Sequence, residues 1–268
     1  MRLASRIIRR LRREAGSIGH SFGSLFCAAC RCRVRSFRPL DAQFPRAWHK
    51  HGFELDPRRF ETLSIDTYAC PRCGASDRDR LYALYLDDFA KRAPKDGRLI
   101  QFAPSRALAA RIRSALPAWS HRSADLFMPD VDDCVDLCDM QNVYADASVD
   151  FFICSHVLEH VSNDLKALRE LSRILKPGGE GIIMAPIHLD LSDTRCVPHN
   201  ASAEDRWRLA GQDDHVRLYG ARDFVSLIKE AGFEHSALGS DGFAASAFEQ
   251  NGIVKSGLLH IGRKRGAS

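Results

Sequence analysis

The segment CSHVLEHV, at residues 154–161, holds three side chains with reactive chemistry. His156, Glu159 and His160 spell H-x-x-E-H, a signature of one class of zinc peptidase. Such a peptidase needs both histidines on one face of an established helix, a further ligand downstream and the glutamate as general base. Here His156 directly follows VDFFIC, a run typical of a buried strand, and the next helix is predicted to begin at Asp164. We therefore expect a turn at the end of a strand, which disfavours a peptidase.

Two C-x-x-C turns in the first third of the chain could hold a metal ion. They read C-A-A-C and C-P-R-C-G, and their cysteines are Cys27, Cys30, Cys70 and Cys73. Each turn directs two thiolates to one side of a tight bend, as half of a tetrahedral zinc site requires. A closed four-thiolate shell has no open coordination position, so this structural Zn²⁺ would stabilise a fold and take no part in catalysis. Cys32 competes with Cys30 for the first pair, and ordinary reduced thiols stay an alternative.

The composition is that of a globular protein with a basic N-terminus. The chain has 268 residues, of which 45% are hydrophobic and 27% charged, enough for one large domain or a medium domain with a small module. Its apolar runs are far shorter than the roughly 20 residues that span a bilayer. The net charge is +5, and six arginines fall within the first thirteen residues: Arg2, Arg6, Arg9, Arg10, Arg12 and Arg13.

Residues 1–14 could form a helix with one apolar face and arginines around the rest, like helices that lie on anionic membrane surfaces. This segment lacks the apolar core of a secretion signal. We expect a cytoplasmic protein, peripherally attached at the inner membrane face if the helix binds lipid headgroups. A frayed basic tail is the alternative.

From residue 97 onward the sequence alternates between strand-like and helix-like segments. The predicted strands include RLIQFAP, HRSAD, VDFFIC, EGIIMAPI, EHSALGS and GLLHIGRKR, with amphipathic helices among them. Such alternation predicts a mainly parallel sheet with helices on both faces, which binds ligands beyond the carboxyl ends of its strands. Residues 76–93 are predicted to form a helix that docks on this domain. Site residues are therefore expected directly after each strand.

The turn after the first of these strands lacks the glycines of a dinucleotide-binding site. It reads F-A-P-S-R at residues 102–106, and Pro104 offers no amide hydrogen to a phosphate. NAD and FAD are therefore disfavoured. Asp125, about twenty residues further on, is placed to hold a pair of ribose hydroxyls. S-adenosylmethionine has a ribose but no phosphate, so it suits this turn better.

The ordered motifs resemble those of class I, S-adenosylmethionine-dependent methyltransferases of the type 11-like group. They are D-x-x-x-x-S-x-V-L-E-H-V, which begins at Asp150, and L-K-P-G-G at residues 175–179. More narrowly, the chain is similar to a bacterial subgroup in which a C-P-x-C-G zinc module precedes an A-P turn, and a G-Q-x-D-H-V-R segment occurs late. These features lie here at residues 70–74, 103–104 and 211–217.

The resemblance covers roughly residues 25–262 and implies an architecture. We expect an α/β fold, with a Rossmann-like seven-stranded methyltransferase sheet and a small N-terminal zinc-ribbon-like module. The predicted parts are a basic amphipathic segment at residues 1–20, the zinc-binding module with its connecting helix at 21–93, and the methyltransferase domain at 94–268.

The resemblance also implies the cofactor site for S-adenosyl-L-methionine. Ala103 would flank the methionine portion, Asp125 would hold the ribose, and Asp136 would lie beside the adenine. Ser155 and His156 would face the transferable methyl group. The predicted cofactor-binding residues are Ala103, Pro104, Asp125, Asp136, Leu137 and Ser155.

Methyl transfer requires alignment of a nucleophile with the methyl group and, where necessary, removal of a proton. His156 and His215 are the predicted catalytic bases, because imidazole titrates near neutral pH. His215 lies in a long stretch, residues 189–219, suited to covering a substrate. Arg195 and Arg217 in the same stretch could hold an anionic acceptor.

A divalent metal ion at Glu159 and His160 stays open. Some quinone-pathway O-methyltransferases resemble this stretch with E-x-x-E-H and use it to hold a divalent ion, and here His156 stands in place of the first glutamate.

The methyl acceptor is not encoded in any of these motifs. A small molecule, lipid or glycan is the favoured class. Nucleic acid is less favoured, because aromatic residues are not interleaved with the basic ones in a stacking surface. A non-catalytic binding module built from a zinc ribbon and a degenerate Rossmann-like domain is the remaining alternative.

Overall fold

The computed structural model describes residues 25–266. Its strands are β1 (Leu25–Cys27), β2 (Cys32–Val34), β3 (Arg98–Phe102), β4 (Ser120–Asp125), β5 (Asp133–Cys134), β6 (Val149–Ser155), β7 (Leu175–Met184), β8 (Ile187–His188), β9 (Arg195–Cys196), β10 (Arg217–Gly220), β11 (Phe233–Leu238) and β12 (Leu259–Lys264). Its α-helices are α1 (Gln43–His51), α2 (Asp77–Arg92), α3 (Arg106–Ala115), α4 (Asp164–Ile174), α5 (Ala203–Ala210), α6 (Ala221–Glu230) and α7 (Ala247–Gln250).

Seven of these strands form one sheet in the order β11-β12-β7-β6-β3-β4-β5. Strand β12 is antiparallel to both of its neighbours, and the remaining pairs are parallel. From β3 the chain moves outward to β4 and β5, then returns to β6 on the other side of β3. A reversal of this kind opens a crevice at the carboxyl ends of the two strands, where open α/β sheets bind ligands. The predicted Rossmann-like seven-stranded sheet is confirmed.

Both faces of the sheet are covered by helices, because alternate side chains of a strand point to opposite faces. Phe151 and Ile153 of β6 pack in a cluster with α2 and α3, whereas Phe152 and Cys154 pack with α4 and α6. All four side chains are buried. The predicted helix at residues 76–93 is present as α2, and a capping box at Ser76 begins it.

The L-K-P-G-G motif lies at the start of a strand. Leu175 already pairs with Val149, so β7 begins there, directly after α4. The carboxylate of Asp150 accepts hydrogen bonds from the Arg98 backbone amide at 2.9 Å and from Lys176 Nζ at 2.8 Å. A side chain at Gly179 would meet the Asp150 carbonyl oxygen at 2.9 Å. These motif residues therefore hold β3, β6 and β7 together.

The cysteine-rich segment packs on this domain through a buried arginine. Arg80 of α2 has no exposed surface, and its guanidinium stacks 3.8 Å from the centre of the Phe37 ring. The Ala28 amide also donates to Asn251 Oδ1 at 2.8 Å. The guanidinium donates to backbone carbonyls on both sides of this contact, those of Thr67, Tyr68, Ala75, Asn251 and Gly252.

Replacement of Arg80 by methionine should lower the free energy of unfolding by about 3–5 kcal/mol, because several buried carbonyls lose their charged donor. The measurement is the midpoint of denaturant unfolding. Arg113→Met, on the exposed face of α3, is the matched control and should shift the midpoint little. Equal midpoints for the two variants would contradict this account.

Two predictions made for the N-terminus fall on residues that the structure does not describe. The segments 1–20 and 1–14 lie outside residues 25–266, so the basic amphipathic helix stays a prediction. The boundary between residues 93 and 94 also stays a prediction. In the described part of the chain, no helix has the length and apolarity to cross a bilayer.

Candidate functional site

A cleft of about 570 Å³ lies at the carboxyl ends of β3, β4 and β6, and the chain order of the strands reverses between β3 and β6. Ala103, Asp125, Asp136 and Leu137 line it, together with His156. Topology therefore brings together side chains from four separate strand ends. Of the predicted cofactor residues, Pro104 and Ser155 are outside the set that lines this cleft.

Ala103 adopts a left-handed conformation, with φ of 47°, in the turn where glycine is usual. Its amide donates to the Ala124 carbonyl at 3.0 Å, which holds the turn against β4. Ser105 caps α3 by accepting from the Leu108 amide at 3.2 Å and donates to Asp79 Oδ1 at 2.8 Å. Because its own serine and a carboxylate stand at this helix start, the site is unsuited to a phosphate.

One of the two oxygens of the Asp125 carboxylate is hydrogen-bonded to its own loop. Oδ1 accepts from the amides of Phe127 at 2.7 Å and Met128 at 2.9 Å. Oδ2 has no hydrogen-bond partner among residues 25–266, and so can accept from a hydroxyl of a ligand in the cleft. Asp136 is exposed, and its Oδ1 accepts from the Cys138 amide at 2.8 Å.

Ser155 lies on the other side of β6, towards α2. Its hydroxyl is 2.7 Å from the Tyr82 hydroxyl. Both line a neighbouring cavity of about 310 Å³, to which Arg78, Ala103 and His156 also contribute. His156 and Ala103 therefore stand between this space and the larger cleft.

His156 lines both the cleft and the neighbouring cavity. It follows β6 with φ of 57°, and its amide donates to the Met184 carbonyl at 2.9 Å. Its Nδ1 lies 3.1 Å from Oε1 of Glu159, although the angles fall short of a hydrogen bond. Glu159 has no exposed surface.

The charges in this pair follow from burial and proximity. Burial lowers the pKa of His156 to about 4, so its imidazole is neutral at neutral pH. Burial alone would raise the pKa of Glu159, but His156 and the other nearby imidazoles oppose it and lower the pKa to about 2. A carboxylate beside Nδ1 favours the tautomer with its proton there, which leaves the Nε2 lone pair free.

A further cavity of about 240 Å³, here called the aromatic cavity, adjoins the cleft, and His156 and His160 line both. Its wall is aromatic and comes from the N-terminal part of the chain, with one cation, Arg78, on the same surface. Arg78 donates to the Tyr68 hydroxyl at 3.1 Å. The aromatic residues are Phe44, Trp48, Phe60 and Tyr68.

The stretch between β7 and α6 closes this cavity against the N-terminal segment. Strands β8, β9 and β10 form a small sheet beside α5, and α5 packs on α1. Trp48 Nε1 donates to the Gly211 carbonyl at 2.9 Å, and Glu54 pairs with Arg195 at 3.0 Å and with Arg208. The two segments therefore form one wall.

The two arginines predicted to hold an anionic acceptor are used in structural contacts. Arg195 pairs with Glu54, and Arg217 donates to the carbonyls of Leu158 and Val161, both at 2.6 Å. Arg217 is 8% exposed. The cation on the cavity wall is Arg78 instead, which the sequence reasoning missed.

His215 is nearly fully buried and lines the aromatic cavity. Its Nε2 lies 4.0 Å from Glu159 Oε1, and its Nδ1 lies 3.1 Å from the Ala210 carbonyl. Burial lowers its pKa below the ordinary value. The structure thus brings both predicted bases, His156 and His215, to the same carboxylate.

The four predicted zinc cysteines converge. Cys27 Sγ lies 3.8 Å from Cys73 Sγ, and Cys30 Sγ lies 4.0 Å from Cys70 Sγ. All four sulfurs lie within 4.8 Å of one another. Tetrahedral zinc with bonds of about 2.3 Å separates its sulfurs by about 3.8 Å, so the set fits this ion. Cys32 Sγ instead lies 3.3 Å from the Cys30 carbonyl oxygen.

Comparisons with known proteins match part of the chain to one family model. Residues 87–183 match the family model described as Methyltransferase domain. This part of the chain is therefore similar to methyltransferase domains. The matched segment contains β3, β4, β6 and most of β7, and the four clustered cysteines lie outside it.

Individual relatives of the methyltransferase domain are remote. A Mycolicibacterium smegmatis protein named "Probable S-adenosylmethionine-dependent methyltransferase" is 30% identical over 89 residues, which are 33% of this chain and 30% of the length of that protein. YcgJ of Bacillus subtilis is similar at 14% identity with a TM-score of 0.43, over 68% of this chain and 98% of that one. Haemonchus contortus phosphoethanolamine N-methyltransferase 2, solved with S-adenosyl-L-methionine, is similar at 15% identity with a TM-score of 0.44, over 72% of this chain and 53% of that one.

Residues that the sequence reasoning missed lie mostly outside the matched domain. The aromatic wall comes from residues 44–68, where no periodic pattern separates cavity residues from core residues. One available signal was the run of aromatic side chains between the two C-x-x-C turns. A further signal for Arg78 was its position in the sequence, directly after the first residue of the docking helix.

Proposed function

We propose that this chain transfers a methyl group from S-adenosyl-L-methionine to a small molecule, or to a lipid or glycan group of similar size. The position of His156 carries this proposal, because that side chain lines both the aromatic cavity and the cleft that contains Asp125 and Asp136. A cofactor in the first space and an acceptor in the second would meet at His156.

The side chains that line the cleft fit this cofactor. Asp125 Oδ2 can accept from a ribose hydroxyl, and Leu137 offers an apolar contact to an adenine beside Asp136. Ala103 lets the backbone turn closely beneath the cleft. When bound, S-adenosyl-L-methionine supplies an electrophilic methyl group on its sulfonium.

His156 is the proposed general base. Its Nε2 would take the proton of the acceptor nucleophile as that nucleophile forms a bond to the methyl carbon and the bond from carbon to sulfur breaks. Glu159 would stabilise the resulting imidazolium at Nδ1, as a buried carboxylate does in a catalytic dyad. His215 is the alternative base, but its Nε2 is turned to Glu159, whereas only His156 lines the cofactor cleft as well.

The aromatic cavity supports an acceptor with a planar or apolar body. Arg78 on its wall suits a negative or oxygen-rich group on that acceptor. A cavity of about 240 Å³ favours a small molecule, or the end of a lipid or glycan, over a nucleic-acid duplex. Nucleic-acid methylation and a purely binding role remain the alternatives.

We also propose that Cys27, Cys30, Cys70 and Cys73 bind a structural Zn²⁺, supported by their spacing. This ion would stabilise the segment that carries the aromatic wall. Association of residues 1–14 with an anionic membrane surface, at the inner membrane face of a cytoplasmic protein, stays a prediction.

Asp125→Asn should weaken S-adenosyl-L-methionine and S-adenosylhomocysteine binding about 10- to 100-fold, since the variant loses a charged acceptor for the ribose hydroxyls. Asparagine can still accept the two loop amides, so the loop should persist. Calorimetric titration measures the affinities. Asp130→Asn, at an exposed position of the same loop, is the control. No binding of either ligand by the wild-type chain would favour the non-catalytic module.

A further inference from the structure

The floor of the aromatic cavity contains a carboxylate surrounded by imidazoles. Oε1 of Glu159 lies 3.1 Å from His156 Nδ1, 3.8 Å from His160 Nε2 and 4.0 Å from His215 Nε2. Among residues 25–266, both carboxylate oxygens of Glu159 and Nε2 of His215 are buried without a hydrogen-bond partner. Buried polar atoms are nearly always paired, so this group needs a partner.

Contacts on the far sides of the rings decide which atoms carry lone pairs. His215 Nδ1 lies 3.1 Å from the Ala210 carbonyl, which can only accept, so the proton is on Nδ1 and Nε2 is a lone pair. His160 Nδ1 lies 3.3 Å from Asp214 Oδ2, which favours the same tautomer. Two nitrogen lone pairs and a carboxylate therefore converge with no hydrogen between them.

A bound cation would give the two nitrogen lone pairs and the carboxylate a common partner. We propose that Glu159, His160 and His215 bind a divalent transition-metal ion of the zinc type, with an open coordination position towards the aromatic cavity. Two imidazoles and one carboxylate form a donor set that such ions prefer, and the contacts to Ala210 and Asp214 are of the kind that orient ligating histidines.

The distances suit such an ion after small side-chain movements. The ligand atoms lie within 4.8 Å of one another. A tetrahedral ion with bonds of about 2.0–2.1 Å holds its ligand atoms about 3.3 Å apart, so each imidazole must move by less than about 1 Å. The rings of His160 and His215 are already edge to face, with centroids 4.9 Å apart.

All three proposed ligands line the cavity, so its occupant would reach the ion. If methyl transfer occurs as proposed above, an acceptor hydroxyl bound at the open position would lose its proton to His156 Nε2 more readily, because the cation stabilises the oxyanion. That oxygen would then form the bond to the methyl carbon. Metal binding itself does not depend on this step.

The test counts metal ions per chain without cofactor or acceptor. Wild type, His160→Ala and a control, His199→Ala at an exposed position, are equilibrated with excess Zn²⁺, desalted and analysed by mass spectrometry for metals. We expect His160→Ala to hold one zinc fewer than wild type and the control to match wild type. Zinc at the four cysteines contributes equally to all three. Equal zinc in all three proteins would overturn the proposal.

A second variant covers the case in which His160→Ala does not fold. Asp214 is 64% exposed and touches only the far side of His160 in this cluster, so Asp214→Asn should fold. We expect its calorimetric affinity for Zn²⁺ at this site to be 10- to 100-fold weaker than that of wild type. An unchanged affinity would count against the site. Both readouts are independent of methyl transfer, so a failed methylation assay leaves them interpretable.

Discussion

Replacing His156 by alanine should lower the rate of methyl transfer about 10²- to 10⁴-fold, the usual contribution of a positioned general base. Cofactor affinity should stay close to that of wild type, because the residues proposed to contact the ribose and the adenine are Asp125 and Asp136. The expected signature is therefore a loss of kcat with little change in cofactor binding.

Because the acceptor is unidentified, the assay uses methyl-labelled cofactor with fractionated cell extract and follows the compound that takes up the label. His199→Ala, which lies outside both cavities at an exposed position, should label the same compound at the wild-type rate. A His156→Ala protein with undiminished turnover would rule out this residue as the base. His156→Ala retains Glu159, His160 and His215, so its zinc content should equal that of wild type.

If Cys27, Cys30, Cys70 and Cys73 bind zinc as proposed, substitution of Cys70 and Cys73 by serine should remove that ion and strongly destabilise the chain. Binding of structural zinc is worth about 10–16 kcal/mol in zinc-finger peptides, which is comparable to the whole stability of a domain. Arg80 ties this segment to the C-terminal part of the chain, so the loss should extend to the aromatic cavity.

Zinc content and thermal unfolding measure this effect. The matched control is Cys134→Ser with Cys196→Ser, because both of these cysteines are exposed and outside the cluster. The control should keep its zinc and its unfolding temperature. A zinc-free Cys70→Ser, Cys73→Ser protein with unaltered unfolding would show that the cysteines are ordinary thiols.

The fold was predictable because its signals are local. Apolar runs such as VDFFIC mark buried strands wherever they occur, and the amphipathic helices between them allow a parallel sheet. The position of a cleft follows from the strand order, which explains why Asp125 and Asp136, chosen as strand-end residues, both line it. The short edge strand β5 was missed, because two residues carry too little pattern.

The aromatic cavity, where the acceptor is proposed to bind, was harder to predict from the sequence. Trp48 and Phe60 resemble ordinary core residues in sequence, and only packing against the stretch after β7 makes them a cavity wall. The roles predicted for Arg195 and Arg217 show the same limit, since a charged side chain pairs with whichever acceptors the fold places beside it.

The sequence by itself determined the order of the longer strands and helices of the main sheet, the C-x-x-C pairs and the acidic strand ends, because each depends on residues close together in the chain. Tertiary structure alone decided that Glu159 meets His215, since these residues approach only when the late segment folds over the end of β6. CSHVLEHV therefore predicted the turn after β6 correctly, and the reactivity of that turn stays a prediction. The partner of this turn, His215, comes from a distant part of the chain, and folding of the core brings the two together.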